Sequence, residues 1–248
     1  NNFFNFQEFS EVYLEDEFHL SNNTINNINY NFHAEEGSII KHNIFQNFSH
    51  LNKLYFTTNT VCEKKSLFTQ NTYNFAEGYV RNFHYAKLNG ELSNASLKGC
   101  FFLKDKNACS NKTHIIHNAE NCESNQMYKG ILNNNSKANY YSNTFVSQNA
   151  QKTEGYQLSK GILLTDDCSF FSKPELRIFA DDVKCSHGST IGPVDESALY
   201  YLRSRGINKN QAMKMIISSF IEEDIKYLDN TNTEKISNNL SNYLNSIE

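Results

Sequence analysis

The sequence predicts a mainly β protein, a flattened parallel β-helix over residues 1–193 followed by a small C-terminal α-helical domain over residues 194–248. Three observations predict it. Short apolar runs separated by Asn, Ser, Gly and Lys clusters fill the chain to about Gly192, with almost no sustained 3.6-residue periodicity. One dipeptide recurs at constant spacing: Lys98-Gly99, Lys129-Gly130 and Lys160-Gly161 stand 31 residues apart, and Gly192 continues the count. Beyond Pro193 the apolar residues fall at i, i+4 spacing instead.

In chain order, the strand-like runs are Lys53 to Thr58, Gly78 to Leu88, Cys100 to Leu103, Thr113 to Ile116, Thr144 to Ser147 and Leu176 to Ala180. Each Lys-Gly pair is followed by two apolar residues, Cys100-Phe101, Ile131-Leu132 and Ile162-Leu163. A second strand follows each, where His114-Ile115-Ile116, Phe145-Val146-Ser147 and Leu176-Arg177-Ile178 align at the same period. Two strands per fixed period mark a solenoid, whose units bury their apolar faces only by stacking. The stretch before Phe75 lacks that spacing, so its turns are expected to be irregular.

Three helices are expected after Pro193. Asp195 caps the first, which carries Ala198, Leu199 and Leu202 and ends with Arg203 and Arg205 before Gly206. Asn208 with Gln211 forms a capping box for the second, which runs to about Leu228 with Ala212, Met213, Ile216, Ile217, Phe220 and Ile221 on a broad apolar face. The third, roughly Thr233 to Ile247, repeats the pattern with Ile236, Leu240, Tyr243 and Leu244. Helices this apolar must pack on the β-helix or on a partner.

Composition narrows the function classes. In 248 residues, 19 Phe and 14 Tyr supply ample core, while a net charge of −4 and no basic patch along the sequence argue against a nucleic-acid groove. No run of 18 apolar residues exists, so no membrane partner is expected, and Asn1 to Phe9 lacks the zones of a signal peptide. The first residue is not Met, which fits a fragment or a processed chain. Cys62, Cys100, Cys109, Cys122, Cys168 and Cys185 include no Cys-x-x-Cys pair and are read as reduced thiols, with Cys100 and Cys168 in the core. No phosphate-binding Gly-rich loop occurs, so no nucleotide is expected on this chain.

On a strand, residues i and i+2 face the same way, so Cys185 and His187 project together, and thiolate and imidazole both suit iron. The plain alternative is a cysteine packing as a small hydrophobe beside a ligand-free surface histidine. For His114, His117 and Cys122 the plain reading, chance neighbours on adjacent rungs, is preferred over a metal site. Asp181 and Asp182 are strand neighbours on opposite faces and do not form an acid pair. Lys98, Lys129 and Lys160 are expected as a solvated surface ladder.

The run from Lys173 to Gly188, with Cys185-Ser186-His187-Gly188 inside it, resembles the SufB/SufD family near the end of its β-helix. Leu199 to Ile207 is similar to the family's first C-terminal helix, and Gln148 to Gly155 to its penultimate rung, so the resemblance covers about Gly130 to Leu228. Cys-Ser-His-Gly is similar to the SufD branch, where the SufB branch typically carries Cys-Glu-His-Glu. The resemblance implies a right-handed β-helix that serves as a non-catalytic scaffold for iron-sulfur cluster assembly. It implies pairing with SufB through the late strands and docking of the SufC ATPase through the C-terminal helices, with Leu199, Tyr200, Tyr201, Leu202, Arg203, Arg205 and Gly206 as the contact segment. It also implies a transient iron-sulfur cluster shared with SufB, to which His187 and Cys185 contribute. A bacterial cytosol, or a plastid after loss of a transit peptide, is the expected compartment. The competing readings are a SufB-type persulfide acceptor and a β-helix enzyme acting on polysaccharide; the second would need paired carboxylates or a calcium-binding acid cluster, and neither is present in the sequence.

Overall fold

The computed structural model describes residues 1–20, 23–48, 52–225 and 230–246. Fourteen strands form two parallel sheets, the odd-numbered strands in one and the even-numbered in the other, wound as a solenoid of about six turns. Sheet A holds the odd-numbered strands and sheet B the even-numbered ones, each in chain order. The strands that matter below are β7 (Gly78–Leu88), β8 (Asn94–Leu103), β9 (Ala108–His117), β10 (Glu123–Leu132), β11 (Lys137–Val146), β12 (Thr153–Leu163), β13 (Ser169–Ile178) and β14 (Val183–Pro193). Alternation along each strand sends one residue set inward, and Phe56, Phe68, Leu97, Phe101, Ile115, Tyr128 and Tyr140 fill that interior.

Regular coiling begins at the first strands. β1 (Asn2–Phe6) pairs with β3 (Ile25–Ala34) and β2 (Glu11–Phe18) with β4 (Ile39–Gln46), each at a step of 28 residues, as from Asn2 to Tyr30 and Glu11 to Ile39. The expectation of irregular early turns is therefore corrected; the step length changes along the chain, which hides the repeat. Between β10 and β12 the step is 31 residues, so Lys129 does face Lys160 and Gly130 does face Gly161. Between β8 and β10 it is 29, and Lys98 faces Met127 while Lys129 faces Cys100. On sheet A, His114 pairs with Asn143 and Asn143 with Glu175, steps of 29 and 32. A single-residue slip exchanges the faces of a strand, so Phe145 meets Arg177 across the ladder rather than Leu176.

The recurring glycines have a packing cause. Tyr128 lies opposite Gly99 and Phe101 opposite Gly130, and a Cβ on either glycine would overlap the ring facing it. Gly161 is covered in the same way by the Phe170 ring of sheet A, which meets the Phe101 ring edge-on at 5.1 Å. A missing side chain on one strand thus makes room for an aromatic ring, a pairing that also fixes register.

Helices α1 (Glu196–Ser204), α2 (Lys209–Ile225) and α3 (Asn230–Ser246) follow the solenoid. Asp195 caps α1 by accepting from the Ser197 and Ala198 amides, Gly206 ends it at φ 87°, and the Asn208 side chain accepts from the Gln211 amide at the start of α2. Leu228 and Ile247, the expected helix ends, lie outside the described residues. Ile217, Ile221, Ile236, Leu240, Tyr243 and Leu244 pack on the outer face of sheet B against Phe45, Tyr73, Cys100, Phe102 and Ile131. Cys100 and Cys168 are buried, as expected. Lys129 is not in a solvated ladder: it is 3% exposed under α2, its Nζ donating to the Phe220 carbonyl at 2.8 Å and standing 5.2 Å from the Phe220 ring centre. Two causes overturn the ladder, the 29-residue step that displaces Lys98 and the helix laid over Lys129. Among the described residues, no helix is long and apolar enough to cross a membrane.

Candidate functional site

Each sheet ends in two edge strands, β1 and β13 in sheet A and β2 and β14 in sheet B, and Cys185 and His187 lie at the late end. Among the described residues β13 pairs only with β11 and β14 only with β12, which leaves one free edge on each sheet at this end. Pro174 sits in β13, a residue type confined to edges because it has no amide hydrogen to give a ladder. Apolar side chains gather nearby, with Phe171 53% and Phe179 60% exposed. A free parallel edge with exposed aromatics is suited to receiving another chain's strand.

Cys185 and His187 lie on β14, with Gly155 and Gln157 of β12 as their ladder partners. Because Gln157 is buried and Gly155 points at Cys185, with a Cβ on that glycine only 3.2 Å from Sγ, both site residues face the inner side of the last turn. Among the described residues no later turn covers that side, and His187 is exposed and Cys185 half-buried. The other five cysteines are buried, which makes Cys185 the most accessible thiol of the chain. Burial against Val146, Ala150 and Ala180 pushes its pKa up, and a backbone hydrogen bond with Gly155 opposes that shift. An alternate-residue spacing of about 6.6–6.8 Å along the strand lets the two side chains reach one bound group. Two donors leave a cluster half-ligated, so such a site needs further ligands from outside the pair.

Gln157, which sequence reasoning passed over, belongs to an inner column in which Gln126, Gln157 and His187 stack on successive turns. Both Gln126 and Gln157 donate to the Thr144 hydroxyl at 2.8 Å, and Gln157 also donates to the Glu175 carbonyl at 3.1 Å. These hydrogen bonds tie β10 and β12 to β11 and β13 across the interior and so fix the turn on which β14 is laid. Its only signal in the sequence is the interval from Gln157 to His187, one turn of the coil.

The remaining candidates separate. His114 points outward and stacks on Tyr85, while His117 points inward and bonds Ser124 Oγ at 2.8 Å, so no common site exists. Cys122 is buried beside Ser93, and among the described residues no group of three His, Cys, Asp or Glu is placed to hold a metal ion. Asp181 and Asp182 are exposed in the β13–β14 turn, not on a strand as expected; the Asp182 carbonyl and amide there bond the preceding turn at Lys152 and Gln151. In the helical segment Leu199 and its neighbours divide by exposure: Leu199 is buried and Leu202 half-buried, whereas Tyr200, Tyr201, Arg203 and Arg205 face outward, with the Arg205 guanidinium 5.1 Å from the Tyr201 ring centre. Gly206 is exposed at the turn after α1.

A family model described as "SUF system FeS cluster assembly, SufBD core domain" matches residues 2–220. "Iron-sulfur cluster assembly protein SufD" of Escherichia coli (strain K12) is 33% identical over 144 residues, covering 58% of this chain and 34% of the relative. "Protein ABCI7, chloroplastic" of Arabidopsis thaliana is 48% identical over 58 residues, 23% of this chain and 12% of the relative. The SufD protein of Plasmodium falciparum (isolate 3D7) is 27% identical over 135 residues, 54% of this chain and 9% of the relative. The chain thus spans about a third or less of the length of these relatives. With the solenoid, the late-edge strand and the match over residues 2–220 together, the chain belongs to the SufBD core family of the SUF system for FeS cluster assembly, with SufD-type relatives.

Proposed function

We propose that this chain is a non-catalytic scaffold subunit on which an iron-sulfur cluster is built. Its late edges, β13 and β14, seat the SufB partner, and the cluster forms as cargo between the two chains with His187 and Cys185 among its ligands. The observation that carries this reading is the pair of donors on the inner face of an edge strand whose ladder is open. Donors there are incomplete alone and are completed by whatever strand adds to the edge. The exposed Tyr200, Tyr201, Arg203 and Arg205 of α1 form the docking segment for the SufC ATPase, being the residue types that dominate interfaces. ATP is bound by that partner. A plastid location is proposed on the name of the chloroplastic relative.

The test is co-expression with cognate SufB and SufC, purification through a tag on this chain, and comparison of wild type with His187→Ala for bound iron and sulfide. The expected result is an intact complex in both cases and a cluster content that falls only in the variant. Equal cluster content in the two would remove His187 from the site, and failure of either partner to co-purify would overturn the scaffold reading.

A further inference from the structure

The outer face of sheet A, which no helix covers among the described residues, carries a groove of about 470 Å3. Arg81 of β7, Lys112 of β9 and Lys173 and Arg177 of β13 border it, four exposed cations in a chain of net charge −4. Its single lining carboxylate, Glu175, is already taken by Arg177, whose Nε and Nη2 reach Glu175 Oε1 at 2.8 and 2.7 Å. Arg81, Lys112 and Lys173 form no ion pair among the described residues. The imidazole of His114 in this groove registers the field: burial, then Lys112 and Arg177, hold its pKa below the usual value.

Spacing decides what such a groove can hold. Lys112 and Lys173 both lie opposite Tyr141, on strands either side of it, so their backbones are roughly 9–10 Å apart. Arg177 follows Lys173 four residues on, roughly 13 Å along the strand. One small anion spans no more than two of these cations. An extended peptide presents same-face side chains every 6.6–6.8 Å or so, so carboxylates four residues apart match the roughly 13 Å between Lys173 and Arg177, with Lys112 within reach across the sheet. Tyr141 and Phe145 between them offer apolar surface to the intervening residues.

We propose that this groove docks an acidic segment of a partner protein, an extended stretch with carboxylates four residues apart on one face. The inference is distinct from the SufC reading, since it concerns the opposite face from the helices, and it involves the outward side chains of β13 rather than the backbone edge proposed to seat SufB. Fluorescein-labelled hexaglutamate is titrated with the full chain by fluorescence anisotropy at low ionic strength. Saturable binding is expected, weakening as salt shortens the reach of surface charge to about 8 Å at physiological ionic strength. Lys112→Glu with Lys173→Glu is expected to weaken it about tenfold or more, whereas the same charge change at the exposed turn residues Lys64 and Lys106 costs less than about twofold. Tyr141→Ala, which leaves the charge alone, weakens binding about two- to fivefold through lost contact area. Absence of saturable binding, equal binding of hexaglutamine, or equal losses in the groove and turn variants would each overturn the proposal. Full displacement by inorganic phosphate at matched charge would also overturn it, by making the groove a small-anion site.

Discussion

Gly130→Ala tests the packing that sets the register of the coil. The added methyl overlaps the Phe101 ring, which is 1% exposed and braced edge-on by Phe170 at 5.1 Å. Carbon atoms settle at about 3.5–4.0 Å, so the ring must retreat by about 1.5 Å into a space already filled. Overpacking of that size costs about 1–3 kcal/mol. Alanine also restricts the unfolded chain, which offsets about 0.4–1 kcal/mol, so the net change is destabilising by about 1–2 kcal/mol. For a chain of this length that lowers the thermal midpoint by roughly 2–8 °C, measured by circular dichroism at the β minimum. Phe101→Leu removes the clashing ring edge, so the double variant should be less destabilised than the two single variants added together. A Gly130→Ala midpoint within about 1 °C of wild type, or strictly additive effects in the cycle, would refute the reasoning.

Three further outcomes are expected. Burial depresses the His84 pKa to about 3 and the His117 pKa to about 4, so both are neutral when folded and titrate near the ordinary value of 6.5 when unfolded; the stability they contribute is full above about pH 6.5 and is lost as pH falls toward 4 and then 3. Urea unfolding across that range should steepen by up to about 1.4 kcal/mol per pH unit for each histidine, and His84→Gln should remove about one proton's worth of the slope. Native alkylation with iodoacetamide, followed by intact mass, should modify Cys185 first and leave Cys62 and Cys109, which are buried and pushed up to about 12, unmodified; persistence of the fast adduct in Cys185→Ser would sink the assignment. Lys129→Ala leaves the Phe220 carbonyl without that donor under α2, so proteolysis within α2 should accelerate while the solenoid persists, at a cost of about 1–3 kcal/mol.

Much of this architecture was legible in the sequence, and the parts that were not share one physical origin. Gly78 to Leu88 was read with the observed bounds of β7, and the caps at Asp195, Gly206 and Asn208 are where side-chain chemistry put them, because strands and caps are local. Register is not local. The turns between strands vary by a few residues, so a 31-residue period holds from β10 to β12 but misaligns Lys98 with Lys129 and Phe145 with Leu176. The side-by-side projection of Cys185 and His187 followed from alternation alone, yet the exposure of His187 and the half-burial of Cys185 depend on β14 being an edge strand. The groove on sheet A was invisible for the same reason: Arg81, Lys112 and Lys173 are scattered along the chain and become neighbours only by coiling.

The two free ladders at the late end carry a further consequence, one of counting. A strip that can add neighbours at either end grows without limit, as a heterologous contact makes a fibre. Union through the late end alone is self-terminating, because each meeting of two chains consumes the late edge of both. Pro174 sharpens this by breaking the row of amide donors on β13, so a visiting strand must match a gap as well as a sequence of groups. A partnership that used the late end of both chains, and only that end, would therefore be one to one by topology before any side chain is consulted.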